Sequence, residues 1–67
     1  MSRPDWKDAP DWANYLAQDM DGQWGWYENK PRISPYAHTW FWEDGEWQEA
    51  IPVAENIDWK ETLEPRP

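Results

Sequence analysis

Cysteine is missing from all 67 residues, so no disulfide framework is available. With a single histidine, His38, there is also no Cys/His set for a structural zinc site. Small folds usually lean on one of these staples, and self-association is the remaining one; the expectation is a homodimer. No run of apolar residues approaches the ~20 needed to cross a bilayer. The segment Met1-Ser2-Arg3-Pro4-Asp5 lacks the apolar stretch of a secretion signal, so neither a membrane partner nor an exported location is expected. Aliphatic residues are scarce as well. Leu, Ile, Val and Phe together number 7, and with a net charge of −8 such a composition would ordinarily belong to a disordered chain.

Tryptophan reverses that conclusion. The chain has eight, at positions 6, 12, 24, 26, 40, 42, 47 and 59, and each can bury about 150–250 Å². Most are expected to form the core of a small sheet. Eight indoles are many for one sheet to hide, so one or two are expected at an interface, where Trp is enriched among hot spots.

Residues 1–13 read as an extended or turn-rich arm, flexible over 1–8, because Pro4 and Pro10 push Arg3 and Ala9 out of the α region. Asp8 is a candidate cap for a turn through Pro10-Asp11-Trp12-Ala13. Over 14–19 two readings compete: Trp12, Leu16 and Met20 recur at helical spacing, whereas Asp19-Met20-Asp21-Gly22 before Gln23-Trp24-Gly25-Trp26-Tyr27-Glu28 looks like a Gly-closed turn between strands. The strand is preferred, giving a hairpin over 14–28. In its second strand Trp24, Trp26 and Glu28 point one way and Gln23, Gly25 and Tyr27 the other. Residues 30–35 form a loop, since Pro31 and Pro35 forbid a central strand there.

A second hairpin is predicted over 38–51. Asp44-Gly45 separates two strand-forming runs, the signal for a type I′ turn, in which both loop residues take positive φ. That register sets Glu43 opposite Glu46 and Trp42 opposite Trp47. Further on, Asp58 with Glu61 resembles a capping box, predicting a helical turn over 58–63 with Ile57, Trp59 and Leu63 available to pack. Glu64-Pro65-Arg66-Pro67 reads as a frayed tail. The fold expected is a single, mainly β domain: an antiparallel sheet of three or four strands with short helical turns near the termini.

Reactive constellations are thin. An EF-hand reading of Asp19, Asp21 and Glu28 fails at the twelfth position, which holds Lys30 in place of Glu, and turn-forming acids explain the pattern better. His38 has no nucleophile motif around it, and nearby Ser34 makes no triad without geometry. The glycines at 22, 25 and 45 do not form a phosphate loop. Neither an enzyme nor a cofactor is expected. Direct nucleic-acid binding is disfavoured too, since six basic residues face fourteen acids.

Charge is uneven. From Glu43 to the end there are eight acids and two bases, whereas the first 42 residues carry −2. Glu43, Asp44, Glu46 and Glu49 cluster at the predicted hairpin tip with Trp47 among them. Charge on an edge strand often serves only to block aggregation. The functional alternative is a negative patch that meets a basic surface on a partner, and these five residues are the candidate binding set.

Taken together, Trp6-x-x-Ala9-Pro10-x-Trp12-Ala13, then Asp19-x-Asp21-Gly22-x-Trp24-x-Trp26-Tyr27-Glu28-x-x-Pro31, then Trp40, resembles small Trp-rich modules that recur in uncharacterised proteins of tailed bacteriophages. The resemblance implies a hairpin around Asp-x-Asp-Gly and leaves the acidic stretch after Glu43 outside the shared pattern. It also implies a phage product acting in the host cytoplasm, where small acidic proteins bind and disable host machines. The expected partner is a host protein with a basic surface, such as a DNA-targeting defence complex. Two alternatives stay open: a DNA mimic that occupies a basic groove, and a structural or assembly protein of the virion.

Overall fold

Asp19-Met20-Asp21-Gly22 closes the first hairpin of the structure, a computed structural model in which residues 3–51 and 58–67 are described. Gly22 takes φ +98°, which glycine adopts without steric cost, and its N–H donates to the Asp19 carbonyl at 2.9 Å. The Asp21 carboxylate accepts the Gln23 N–H at 3.0 Å, the local bond that makes Asp a turn former. The strands so joined are β1 (Tyr15–Gln18) and β2 (Trp24–Tyr27), antiparallel, with Leu16 opposite Trp26. The strand reading of 14–19 holds, and Met20 stands exposed in the turn and not on a helix face.

Side chains of β2 alternate as the sequence predicts. Trp24 and Trp26 join one cluster with Ala13, Leu16 and Ala50, backed by Trp6, Ala9 and Trp12. Tyr27 joins a second with Ala17, Trp40 and Trp59, backed by Tyr15, Trp47 and Leu63. Since both faces are covered, every residue of β2 is buried. Close approach explains Gly25: a Cβ there would lie 2.4 Å from Trp47 Nε1.

The fold is mainly β, with two antiparallel sheets. One has four strands in the order β5-β2-β1-β6, where β5 is Trp47–Ala50 and β6 is Glu64–Pro65; the other pairs β3 (Arg32–Ile33) with β4 (Trp40–Phe41). The predicted 38–51 hairpin is therefore corrected. Its two strands exist but pair elsewhere, β5 with β2 through Tyr27 opposite Trp47, and β4 with β3 through Ile33 opposite Trp40. Gly45 has φ +88° while no residue other than glycine has positive φ among the described residues, so Asp44-Gly45 is not a type I′ turn. Long-range partners hold the connection open: Asn29 Nδ2 donates to the Asp44 carboxylate at 2.9 Å, and the Glu28 carboxylate accepts the Glu46 N–H at 2.9 Å. Glu43 and Glu46 thereby avoid the like-charge pairing that a hairpin would impose.

The ends of the described chain meet. Glu64–Pro65, placed in a tail by composition, pairs with β1, and Arg66 N–H donates to the Asn14 carbonyl at 2.8 Å. Glu64 accepts the Trp6 indole N–H at 2.6 Å and pairs with Arg3 at 2.5 Å. The arm carries a 3-10 turn, Trp6–Asp8, capped by Asp5 through the Lys7 N–H. The turn expected through Pro10–Ala13 is closed by the Ala13 N–H on the Pro10 carbonyl at 3.0 Å. Near the C-terminus a second 3-10 turn, Trp59–Glu61, buries Trp59, but Asp58 makes no side-chain cap bond, so the capping-box expectation is corrected. Ile57, expected to pack there, lies outside the described residues. The radius of gyration, 10.8 Å, matches the roughly 10.9 Å of a globular chain of this length, so indole burial overrides the disorder-like composition. Among the described residues no helix is long and apolar enough to cross a membrane.

Two substitutions test the two faces. Leu16→Ala, at a position with no exposure, is expected to lower unfolding free energy by about 2–5 kcal/mol in urea titrations. Gly25→Ala drives a methyl into the Trp47 ring and is expected to cost about 1–3 kcal/mol, with a change in the near-UV circular dichroism of the indole stacked on Trp47.

Candidate functional site

The connection from β4 to β5, residues 42–46, carries the acidic patch, and two tryptophans at its base orient it. Trp42 and Trp47 stack with ring centroids 5.3 Å apart and planes 15° apart. Beneath them Tyr27 meets Trp42 edge-on at 5.7 Å. Offset-stacked and edge-to-face contacts are the favoured geometries of aromatic pairs, so the outer ring is held in one orientation by a buried strand residue. Trp42 is that outer ring, 38% exposed. Trp47, the tryptophan selected from sequence, is half-buried over Gly25. No signal in the sequence tells which of two facing indoles points out; the closeness of Gly25 decides it.

The acids stand in different circumstances. Glu43 is exposed and ion-paired with Arg32, whose guanidinium also lies 5.4 Å from the Phe41 ring centroid. Both partners are mostly exposed, so that pair contributes little to stability. Asp44 is tied to Asn29 through its carboxylate and, at 3.3 Å, its carbonyl. The Glu46 carbonyl accepts the Glu28 N–H at 3.0 Å and its N–H donates to the Glu28 carboxylate, while its own carboxylate, like that of Glu49, makes no hydrogen bond or ion pair among the described residues. Glu49 lies on β5 opposite Gly25 and, two residues from Trp47, shares its face. All five predicted residues thus fall on one loop and the strand that follows it. Asn29, Arg32 and Glu28, which shape that loop, were not legible as part of it, because each reaches it from at least eleven residues away.

A second exposed segment, 34–39, runs between β3 and β4. Ser34 N–H donates to the Thr39 carbonyl at 3.0 Å, and Ser34 Oγ accepts the Tyr36 N–H at 3.2 Å, which leaves Tyr36 96% exposed. His38 stands edge-on to Trp59 at 6.4 Å. A cavity of about 310 Å³ brings His38 beside Asp19 and Asp21, yet no group of three or more His, Cys, Asp or Glu among the described residues is placed to hold a metal ion. Asp19 serves the fold instead, since its carboxylate accepts the Trp40 N–H at 2.8 Å and so attaches β4 to the first hairpin. Burial pushes this carboxyl above its ordinary value and the charge of Asp21 adds to the shift, against the Trp40 and Thr39 bonds, which pull it down. Burial likewise raises the Tyr27 hydroxyl, with the Asp19 charge as the second cause.

No protein-family model matches the chain, and no curated protein and no solved structure matches it.

A carboxyl whose folded pKa stands above its unfolded one stabilises the fold at pH below the unfolded value, and that contribution is lost as pH rises through the folded pKa. Asp19→Asn keeps an acceptor for the Trp40 N–H and removes the titration. Its stability relative to the parent, measured by urea unfolding, is therefore expected to increase between about pH 4 and pH 7. Asp19→Ala leaves the N–H of buried Trp40 unpaired and is expected to cost about 1–3 kcal/mol at both pH values.

Proposed function

We propose that the protein is a non-enzymatic binding module of tailed-phage type that acts in the host cytoplasm. It inhibits or redirects a host protein by taking a basic surface of that protein onto residues 42–49, and DNA-targeting defence complexes are the class of partner that such a surface suits. The observation that carries this reading is the exposed Trp42 ring, stacked on Trp47 and followed in the same loop by exposed Glu43, Asp44 and Glu46. An aromatic anchor with a charged rim is the usual anatomy of a protein-binding hot spot. Because Trp42 is already packed on one side, little side-chain freedom remains to be lost on binding.

The same observation favours this reading over DNA mimicry. A mimic works through charge and has no use for an outward indole, whereas here Glu43 is already partly neutralised by Arg32. The acids would steer a basic partner toward the surface, and Trp42 would hold it there.

Immobilised protein is expected to retain a specific host protein in ~0.5 M salt, where pure charge contacts are screened. Trp42→Ala is expected to weaken retention by about 30-fold, the effect of a hot-spot residue, with the thermal midpoint little changed. Reversal of Glu43, Glu46 and Glu49 to Lys should slow capture at low salt. Retention equal for the parent and both variants would refute the reading.

A further inference from the structure

A groove between the N-terminal arm and β5 lies apart from the 42–46 loop. Pro4, Asp5 and Asp8 form one wall, Gln48 through Ile51 the other, and Trp26 lies at its base; its volume is about 210 Å³. Small-molecule sites hold roughly 300–1,000 Å³, so this space suits one or two side chains and not a whole ligand. Side chains alternate across a strand, so a groove that touches four consecutive residues follows the strand's edge and not one of its faces. Among the described residues β5 is the outermost strand of its sheet, and no described strand pairs with its outer edge.

Charge selects the occupant. Asp5, Asp8 and Glu49 are exposed and line the groove, and no Lys, Arg or His does. Asp8 and Glu49 make no side-chain hydrogen bond or ion pair among the described residues, and Asp5 uses one oxygen on the Lys7 N–H. At the end of the groove Ile51 is 80% exposed. A second copy of this chain fits poorly, since pairing β5 against β5 gathers Glu46 and Glu49 of both copies, and like charges across strands are destabilising.

We propose that this groove is a strand-addition site. An extended basic segment of a partner protein pairs with the outer edge of β5. It seats alternate Lys or Arg side chains against Asp5 and Asp8, with their aliphatic stems over Ala50, while the side chains between them meet Glu49 and Ile51 on the other face of β5. The inference rests on the reading of the chain as a binder of basic protein surfaces, and it names the kind of segment and its seat.

Fluorescence anisotropy on the full chain tests it with labelled nine-residue probes that alternate Val with Lys, Glu or Ser, plus a Lys probe N-methylated along one edge. The Lys probe is expected to bind, and the Glu and Ser probes are not. Backbone methylation, and the double variant Asp5→Lys with Asp8→Lys, should each weaken binding by about tenfold or more. Glu43→Lys with Glu46→Lys changes net charge equally and should leave binding within about threefold, which separates local seating from overall charge. Circular dichroism verifies that both double variants fold. If the loop variant abolishes binding and the groove variant does not, this inference falls and the proposed function stands. Absence of binding by the Lys probe, equal binding of all probes, or a dimer in sedimentation that Glu49→Lys disrupts would also overturn it.

Discussion

Burial of β2 on both faces is the constraint on which the rest of the structure depends. Its four residues, Trp24 to Tyr27, send alternate side chains into two clusters. In a chain with 7 residues drawn from Leu, Ile, Val and Phe, neither cluster could be built from aliphatic packing. Indoles supply the area instead, and their contacts are directional: Trp6 meets Trp26 edge-on at 5.0 Å, and Trp40 meets Trp59 at 6.2 Å. Large flat side chains need covering elements at set angles, so the N-terminal arm, the 34–42 region and the second 3-10 turn all converge on this strand and its neighbour.

Indoles also carry a donor, and at Trp40 and Trp6 the fold supplies an acceptor. Trp40 Nε1 donates to the Gln18 carbonyl at 2.9 Å and Trp6 Nε1 to Glu64. Gln18, itself 3% exposed, joins three elements at once: its backbone N–H donates to Thr62 Oγ1 at 2.8 Å, its carbonyl takes Trp40, and its amide reaches the Gly22 carbonyl at 3.1 Å. Trp24 Nε1 is the exception, buried with no hydrogen-bond partner among the described residues, and leaving such a donor unmade costs about 1–3 kcal/mol. Arg3 and Arg66 lie over the rings of Trp24 and Trp6, at 5.9 and 5.5 Å from the centroids, so scarce cations are drawn to the tryptophan cluster. That placement leaves the β5 side of the molecule with acids in excess.

The surface offered to a partner follows from the same close packing. Gly25 lets Trp47 sit close to the sheet, Trp47 supports Trp42, and Trp42 stands exposed at the start of the acidic loop. An exposed aromatic in this fold is thus a product of how closely β5 packs against β2. Arg32 and Asn29 hold the surrounding loop in place while leaving Glu46 and Glu49 open to solvent.

The sequence by itself determined whatever depends on near neighbours: the alternation of β2, the Gly22-closed hairpin over 14–28, the β class, and the gathering of acids after Glu43. Those features are set by backbone conformation and spacing over a few residues, which the order of residues states directly. Only the tertiary structure decided which strands pair. Asp44-Gly45 reads locally as a hairpin, but the contacts that overrule it come from Glu28, Asn29 and β2, and β6 exists because Arg66 and Glu64 find partners more than fifty residues away. Which indole faces out was decided in the same way, since the exposure of Trp42 depends on how closely Trp47 approaches Gly25 in another strand, a distance that no local pattern encodes.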